Sequence, residues 1–136
     1  MGIRAEWTDS SHQIHQFSIE VPWTLLELRM VTDQAFSEIR NEAHPVATIV
    51  DVSRIKKLPQ GDFLGHLQYT DSQMPSNVYV SVVVGAPYII TAFMNVLMRL
   101  RPNAKRSALF SRTLEEAHTL IQQRLEQVNQ ETSGKR

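Results

Sequence analysis

Five histidines, fourteen carboxylates and no cysteine bound the chemistry open to this chain of 136 residues. Without thiols there is no disulfide framework, no thiolate zinc site and no thiol nucleophile. Asp62 and His66 stand four apart, the spacing that places a carboxylate and an imidazole on one helix face, either as a general base or as a surface ion pair. No serine or threonine falls beside them at a spacing that would make it a nucleophile, so the ion pair is the reading preferred. His12 and His15 are three apart on a strand, which sends them to opposite faces and prevents them from sharing a metal; both are expected at the surface. His44, before Pro45, reads as a partly exposed helix-end residue, and His118 as a border residue of the last helix. Gly85-Ala86-Pro87-Tyr88 has the position of a phosphate-binding turn but only one glycine. There is no two-histidine zinc helix and no nucleophile elbow. The sequence therefore reads as non-catalytic, with no cofactor and no metal.

The elements that carry these residues are organised around Tyr79 to Leu100. Tyr79 to Val84 is a nearly unbroken apolar run, which describes a central strand covered on both faces. Pro87 suits the first position of the following helix, because proline lacks an N–H that would be unpaired there. That helix, 87 to 100, is apolar on every side except at Thr91, Asn95 and Arg99, so it needs a second surface to bury against. It is too short to cross a bilayer, which takes about 20 residues. Met94 and Met98 lie one turn apart, and flexible thioethers suit adaptable contact surfaces.

Taken in order, Ile3 to Trp7 and His12 to Val21 form a hairpin, with Phe17, Ile19 and Val21 on one face and Ile14 of opposite parity, signalling a bulge or a change of pairing. Thr24 and Glu27 have capping-box spacing ahead of a first helix whose stripe is Leu25, Leu28, Thr32, Ala35 and Ile39. Val46 to Val52 is a buried strand, Pro59 opens a second helix with Phe63, Leu67 and Met74 on one side, and Ser107 to Ser111 is a short last strand. Thr113 and Glu116 form a second capping box ahead of the final helix. The expected architecture is α/β, a mixed sheet of about five strands with about four helices in the order ββαβαβαβα. One domain spans residues 1–129, and 130–136 is expected as a disordered polar tail.

Net charge is zero but unevenly spread: ten of the 14 acidic residues precede Ser72, and eight of the 14 basic residues follow Asp71. No acidic residue lies between Asp71 and Glu115, whereas Arg99, Arg101, Lys105, Arg106 and Arg112 do. Cations near a helix C-terminus complement its dipole, and they also suit an anionic lipid surface. The expected binding surface is Tyr88, Phe93, Met94, Leu97, Met98, Arg99, Arg101 and Lys105. Its expected occupants are a partner protein, a hydrophobic ligand, a peripheral membrane contact or a second copy of the chain. Nucleic acid is disfavoured, since exposed aromatics do not interleave the basic residues. The polar start of the chain makes a cytoplasmic location the expectation.

Trp23-Thr24-Leu25, Pro45 to Asp51, Val82-Val83-Val84-Gly85-Ala86 and Thr113 to Ala117, in this order of elements, resemble STAS domains. The nearest likeness is to the bacterial branch related to anti-anti-sigma factors and to the lipid-binding CRAL-TRIO fold. The resemblance covers roughly residues 3 to 127 and implies a non-catalytic regulatory or interaction module. Anti-anti-sigma members carry a phosphorylated serine or threonine before the second helix, where this chain has Pro59, Gln60 and Gly61. Only the glycine matches, and glutamine cannot accept a phosphoryl group. The resemblance thus also implies an alternative: a homodimeric protein-binding regulator lacking the usual phosphoserine.

Overall fold

The computed structural model describes residues 2–100 and 107–134. The elements are β1 (Ile3–Trp7), β2 (Ile14–Ile19), α1 (Leu25–Arg40), β3 (Val46–Asp51), α2 (Phe63–Gln73), β4 (Val78–Val84), α3 (Tyr88–Arg99), β5 (Ser107–Ser111) and α4 (Leu114–Gly134). The fold is α/β, with a five-stranded mixed sheet and four helices. The strands lie side by side in chain order; β1 and β2 are antiparallel, and every later pair is parallel.

Crossovers of one hand between strands that advance in one direction place their helices on the same side of a sheet. Accordingly α1, α2 and α3 cover one face. Phe36 and Ile39 of α1 pack with Phe17, Val46 and Val78, while Phe63 of α2 and Ile90 of α3 pack with Ile19, Val52 and Val83. On the opposite face α4 stands alone, seating Ala117 and Ile121 against Ala47, Ile49, Val80, Val82 and Val84. A sheet sealed on both faces has no polar side, which is why β4 reads as an apolar run.

Several local features differ from the sequence expectations. Ile14 points to the α4 face and His15, Phe17 and Ile19 to the other, so its parity needs no bulge in β2. The irregularity lies in β4, where Val46 pairs with Val78 but Ala47 pairs with Val80. Val21 lies beyond the end of β2 and is 60% exposed instead of sharing a face with Phe17 and Ile19. Proline 87 is the N-cap of α3 rather than its first residue, and α2 begins at Phe63, not at Pro59, because the Asp62 side chain caps it. The expected tail is helical through Gly134; Lys135 and Arg136 lie outside the described residues. Thr24 and Thr113 cap α1 and α4 as their spacing predicts, accepting from the backbone N–H of Glu27 and Glu116 at 3.1 Å each.

Candidate functional site

On β3, β4 and β5 one level of the sheet is built from small side chains, while the same level carries His15 on β2 and Trp7 on β1. Thr48 of β3 is paired with Ser81 of β4, and Ser81 with Ala108 of β5; all three line the space beneath the crossover helices. On the next level Val50, Val83 and Phe110 are again bulky. Because protein interiors otherwise fill to crystal-like density, a row of small residues under rigid helices leaves a void unless a helix moves in. Here α2 and α3 pack against each other and α2 against α1, bridging the row instead of descending onto it. The result is a cavity of about 160 Å³ between the sheet and the three helices.

Each helix contributes one face to this cavity. From α1 come Leu28, Thr32 and Phe36; from α2, His66, Leu67, Thr70 and Asp71; from α3, Ile90, Met94, Leu97 and Met98. Trp23 and Phe63 close one end, with Phe63 edge-on to both Trp23 and Phe93 at centroid distances of 6.4 and 5.4 Å. The wall is overwhelmingly apolar, and the residues in it that carry polar side-chain atoms are few: Trp23, Thr32, Thr48, His66, Thr70, Asp71 and Ser81. Thr48 donates to the Ser81 hydroxyl at 2.6 Å, so these two groups satisfy one another in the floor. His66 differs, since its Nε2 is buried without a hydrogen-bond partner. Burial, with the nearby Arg29 cation adding to it and Asp33 opposing, holds the His66 imidazole below its usual value of 6.5.

The structure divides the residues that the sequence assigns to one binding surface. Phe93, Met94 and Leu97 face inward, where Met94 and Leu97 line the cavity. Met98 lines it while remaining 42% exposed, and Tyr88 (88% exposed) and Arg99 point to solvent. Arg101 and Lys105, the rest of the basic segment, lie outside the described residues. The outward side of α3 still carries Ile89, Val96 and Leu100, each more than 40% exposed. The helix thus borders the cavity on one side and leaves apolar side chains exposed on the other. The cavity residues on α1, α2 and the sheet went unrecognised in sequence; the one signal was the run Thr48, Ser81 and Ala108 at matching strand positions, which requires the register to be known.

His66 and His15 are arranged differently from the sequence expectations, while His44 is partly exposed as expected. His66 does not pair with Asp62, whose carboxylate turns back to accept the Gly65 N–H at 3.0 Å as the α2 N-cap. That carboxylate also occupies the helix start that follows Pro59, Gln60 and Gly61, where an anion would otherwise sit. His15 is fully buried rather than exposed: its Nε2 meets Glu38 at 2.9 Å, and its ring lies edge-on to Trp7 at 4.6 Å. Trp7 stacks on His12 from another side at 4.4 Å, and His12 and His44 both approach the Glu42 carboxylate. The hairpin twist brings His12 and His15 to one tryptophan despite their alternate parity, because His12 sits beyond the strand in a left-handed turn with φ 54°. Among the described residues no group of three or more His, Asp or Glu side chains is placed to hold a metal ion, and no helix is long and apolar enough to cross a membrane.

The fold and site define a single-sheet α/β domain with an apolar cavity on its three-helix face. No protein-family model, curated protein or solved structure matches the chain.

Proposed function

We propose that this protein is a non-catalytic, STAS-like module of the cytoplasm whose three-helix face receives a small hydrophobic ligand. The observation that supports this reading is the cavity itself: about 160 Å³, apolar, and positioned where the sheet side chains shrink. An engineered apolar cavity of roughly 150 Å³ stays dry and takes up benzene, so this volume accommodates a molecule of about six to ten non-hydrogen atoms. Apolar pockets with a few convergent polar groups are the usual form of small-molecule sites. Met94 and Met98 supply walls that adjust to the occupant. The test is calorimetric titration with ethylbenzene against wild type and Ala108→Leu, which fills the floor. Saturable binding by wild type and its loss in Ala108→Leu is the expected result; no binding by wild type refutes the reading.

A second reading, a homodimeric or partner-binding regulator, is favoured by the outward apolar residues Ile89, Val96 and Leu100. Its measurement is light scattering of wild type and Val96→Glu. A monomeric wild type contradicts the homodimer. Val96 is the informative position because Met94 faces inward, where a glutamate would damage the core instead of an interface.

A further inference from the structure

We infer that β1 is a self-pairing edge: two copies of the chain join their sheets antiparallel through Ile3–Trp7, about a two-fold axis at Ala5. This goes beyond the cavity reading and uses a different surface from the outward residues of α3. β1 is the terminal strand of the sheet, so one of its sides has no neighbouring strand. Which backbone groups face that side follows from the pairing with β2. The Glu20 N–H donates to the Gly2 carbonyl at 2.7 Å and the Thr8 N–H to the Ile14 carbonyl at 3.0 Å, which makes these two hydrogen-bonded pairs of the ladder. By alternation the backbone groups of Arg4 and Glu6 are directed to Ser18 and Gln16, while the N–H and C=O groups of Ile3, Ala5 and Trp7 point to the open edge. Among the described residues none outside β1 bonds to them there.

Charge identifies the partner strand. Charged side chains on an edge ordinarily keep other strands away. Arg4 and Glu6 are the exposed side chains of β1, and among the described residues neither has an ion-pair partner. Glu20, which shares a small polar pocket with Arg4, is engaged by Arg54 at 2.9 Å. The helix on that face of the sheet, α4, seats on β3, β4 and β5, and leaves Arg4 and Glu6 exposed. The two charges are opposite in sign and flank Ala5, so an antiparallel copy centred on Ala5 sets each Arg4 against Glu6 of the other copy. These pairs fall at non-hydrogen-bonded positions, where facing residues come closest, about 4.5 Å between Cα atoms. Ala5 meets Ala5, and Ile3 meets Trp7, at the hydrogen-bonded positions between them. Centring the pairing on Arg4 or on Glu6 instead sets like charges directly opposite, so the neighbouring registers are disfavoured. The charges that repel a strand in other registers therefore select this chain's own β1 in one.

The experiment is sedimentation equilibrium of the full chain from roughly 1 µM to 1 mM, on wild type and on charge-exchanged variants. Expected is a reversible dimer in wild type. Arg4→Glu alone and Glu6→Arg alone each weaken self-association by about tenfold or more, because both cross-strand pairs become like-charged. Mixed together, these two variants associate about as tightly as wild type, since each supplies the charge that the other lacks. The double exchange, Arg4→Glu with Glu6→Arg, also dimerises to within about threefold of wild type. Both positions are exposed, and recovery on mixing separates a lost interface from a damaged fold. In wild type, amide hydrogen exchange at Ala5 and Trp7 slows as concentration rises, and in Arg4→Glu it does not. A wild type that stays monomeric throughout, single variants that associate as wild type does, or no recovery on mixing overturns the inference. Dimerisation lost in Val96→Glu and kept in Arg4→Glu assigns the interface to α3 and overturns it as well. None of these outcomes bears on the cavity reading, which ethylbenzene titration tests separately.

Discussion

Val82 and Val83 are consecutive residues of one strand with identical side chains, 0% and 6% exposed, yet they face opposite sides of the sheet. Val82 packs in the closed layer beneath α4, whereas Val83 lines the cavity. Substituting isoleucine at each adds one methylene and keeps the β-branched character, so strand propensity and χ1 restriction are matched. At Val83 the methylene enters open space and gains about 0.8 kcal/mol of burial. At Val82 it meets a filled layer, where overpacking costs about 1–3 kcal/mol. The two variants therefore move stability in opposite directions, separated by roughly 2–4 kcal/mol from those two contributions. Equilibrium urea unfolding monitored by circular dichroism reads this directly. With a slope of about 1–3 kcal/mol/M, Val83→Ile raises the midpoint by roughly 0.3–0.8 M and Val82→Ile lowers it. Equal slopes across the three proteins confirm that stability, and not the unfolded state, has changed. Destabilisation by Val83→Ile of the same size as by Val82→Ile would refute the claim that the three-helix face is underfilled. The same Val83→Ile protein should also bind ethylbenzene more weakly, since the added group occupies ligand space.

His66 gives a pH dependence whose sign follows from its depressed folded value. The unfolded chain takes up the proton at pH values where the folded chain does not, so the contribution is complete above 6.5. It declines as pH falls through 6.5 and levels off once folded His66 is itself protonated. Urea midpoints at pH 7.5 and 5.5 should thus fall further for wild type than for His66→Gln. Asp62→Ala should cost about 1 kcal/mol as a lost N-cap, while Asp62→Asn should be nearly neutral because asparagine caps as well; an equal cost for both would instead indicate an ionic role, and thermal unfolding distinguishes them. Gly85→Ala should destabilise by about 2 kcal/mol or more in chemical unfolding, since φ is +68° and a Cβ there lies 2.5 Å from that of Ser53.

How much of this was legible in sequence varies with the range of the interaction. The capping threonines Thr24 and Thr113, the apolar strand through Val84 and the alternation of strands and helices are local signals, and the structure keeps them. His15 shows the limit: a strand histidine reads as surface until Trp7 on the neighbouring strand and Glu38 on α1 are brought to it by pairing and crossover. Asp62 was misassigned for a more local reason. Four-residue spacing to His66 and capping of Gly65 are both available to an aspartate before a helix, and the orphan N–H groups at the helix start won. The apolar excess of the helix now spanning Tyr88 to Arg99 was visible in sequence, but its division into a cavity side and a solvent side was not. That depends on Thr48, Ser81 and Ala108 sharing one register, which no single stretch encodes.

The two faces of the sheet are filled differently, and this makes the cavity tolerable. Underfilling a core costs dispersion contacts, at about 24 cal/mol per Å³ for a rigid cavity. A domain whose sheet had one covered face would place that cost in its only core. Here α4 closes the other face with Ala47, Ile49, Val80 and Val82 all fully buried, so strand order and register are held from beneath the site. Small side chains above then change the volume of the cavity without loosening the strands that define it. Met94 and Leu97 sit on α3, the helix that borders the cavity, and α3 is anchored at its start through Ile90 and the tight turn at Gly85. A ligand entering beneath α3 would add the contacts this face lacks, so saturating ethylbenzene should raise the urea midpoint of wild type and leave that of Ala108→Leu unmoved. A midpoint that rises equally in both would place the binding elsewhere on the molecule, and the difference in filling between the faces would then have no functional meaning.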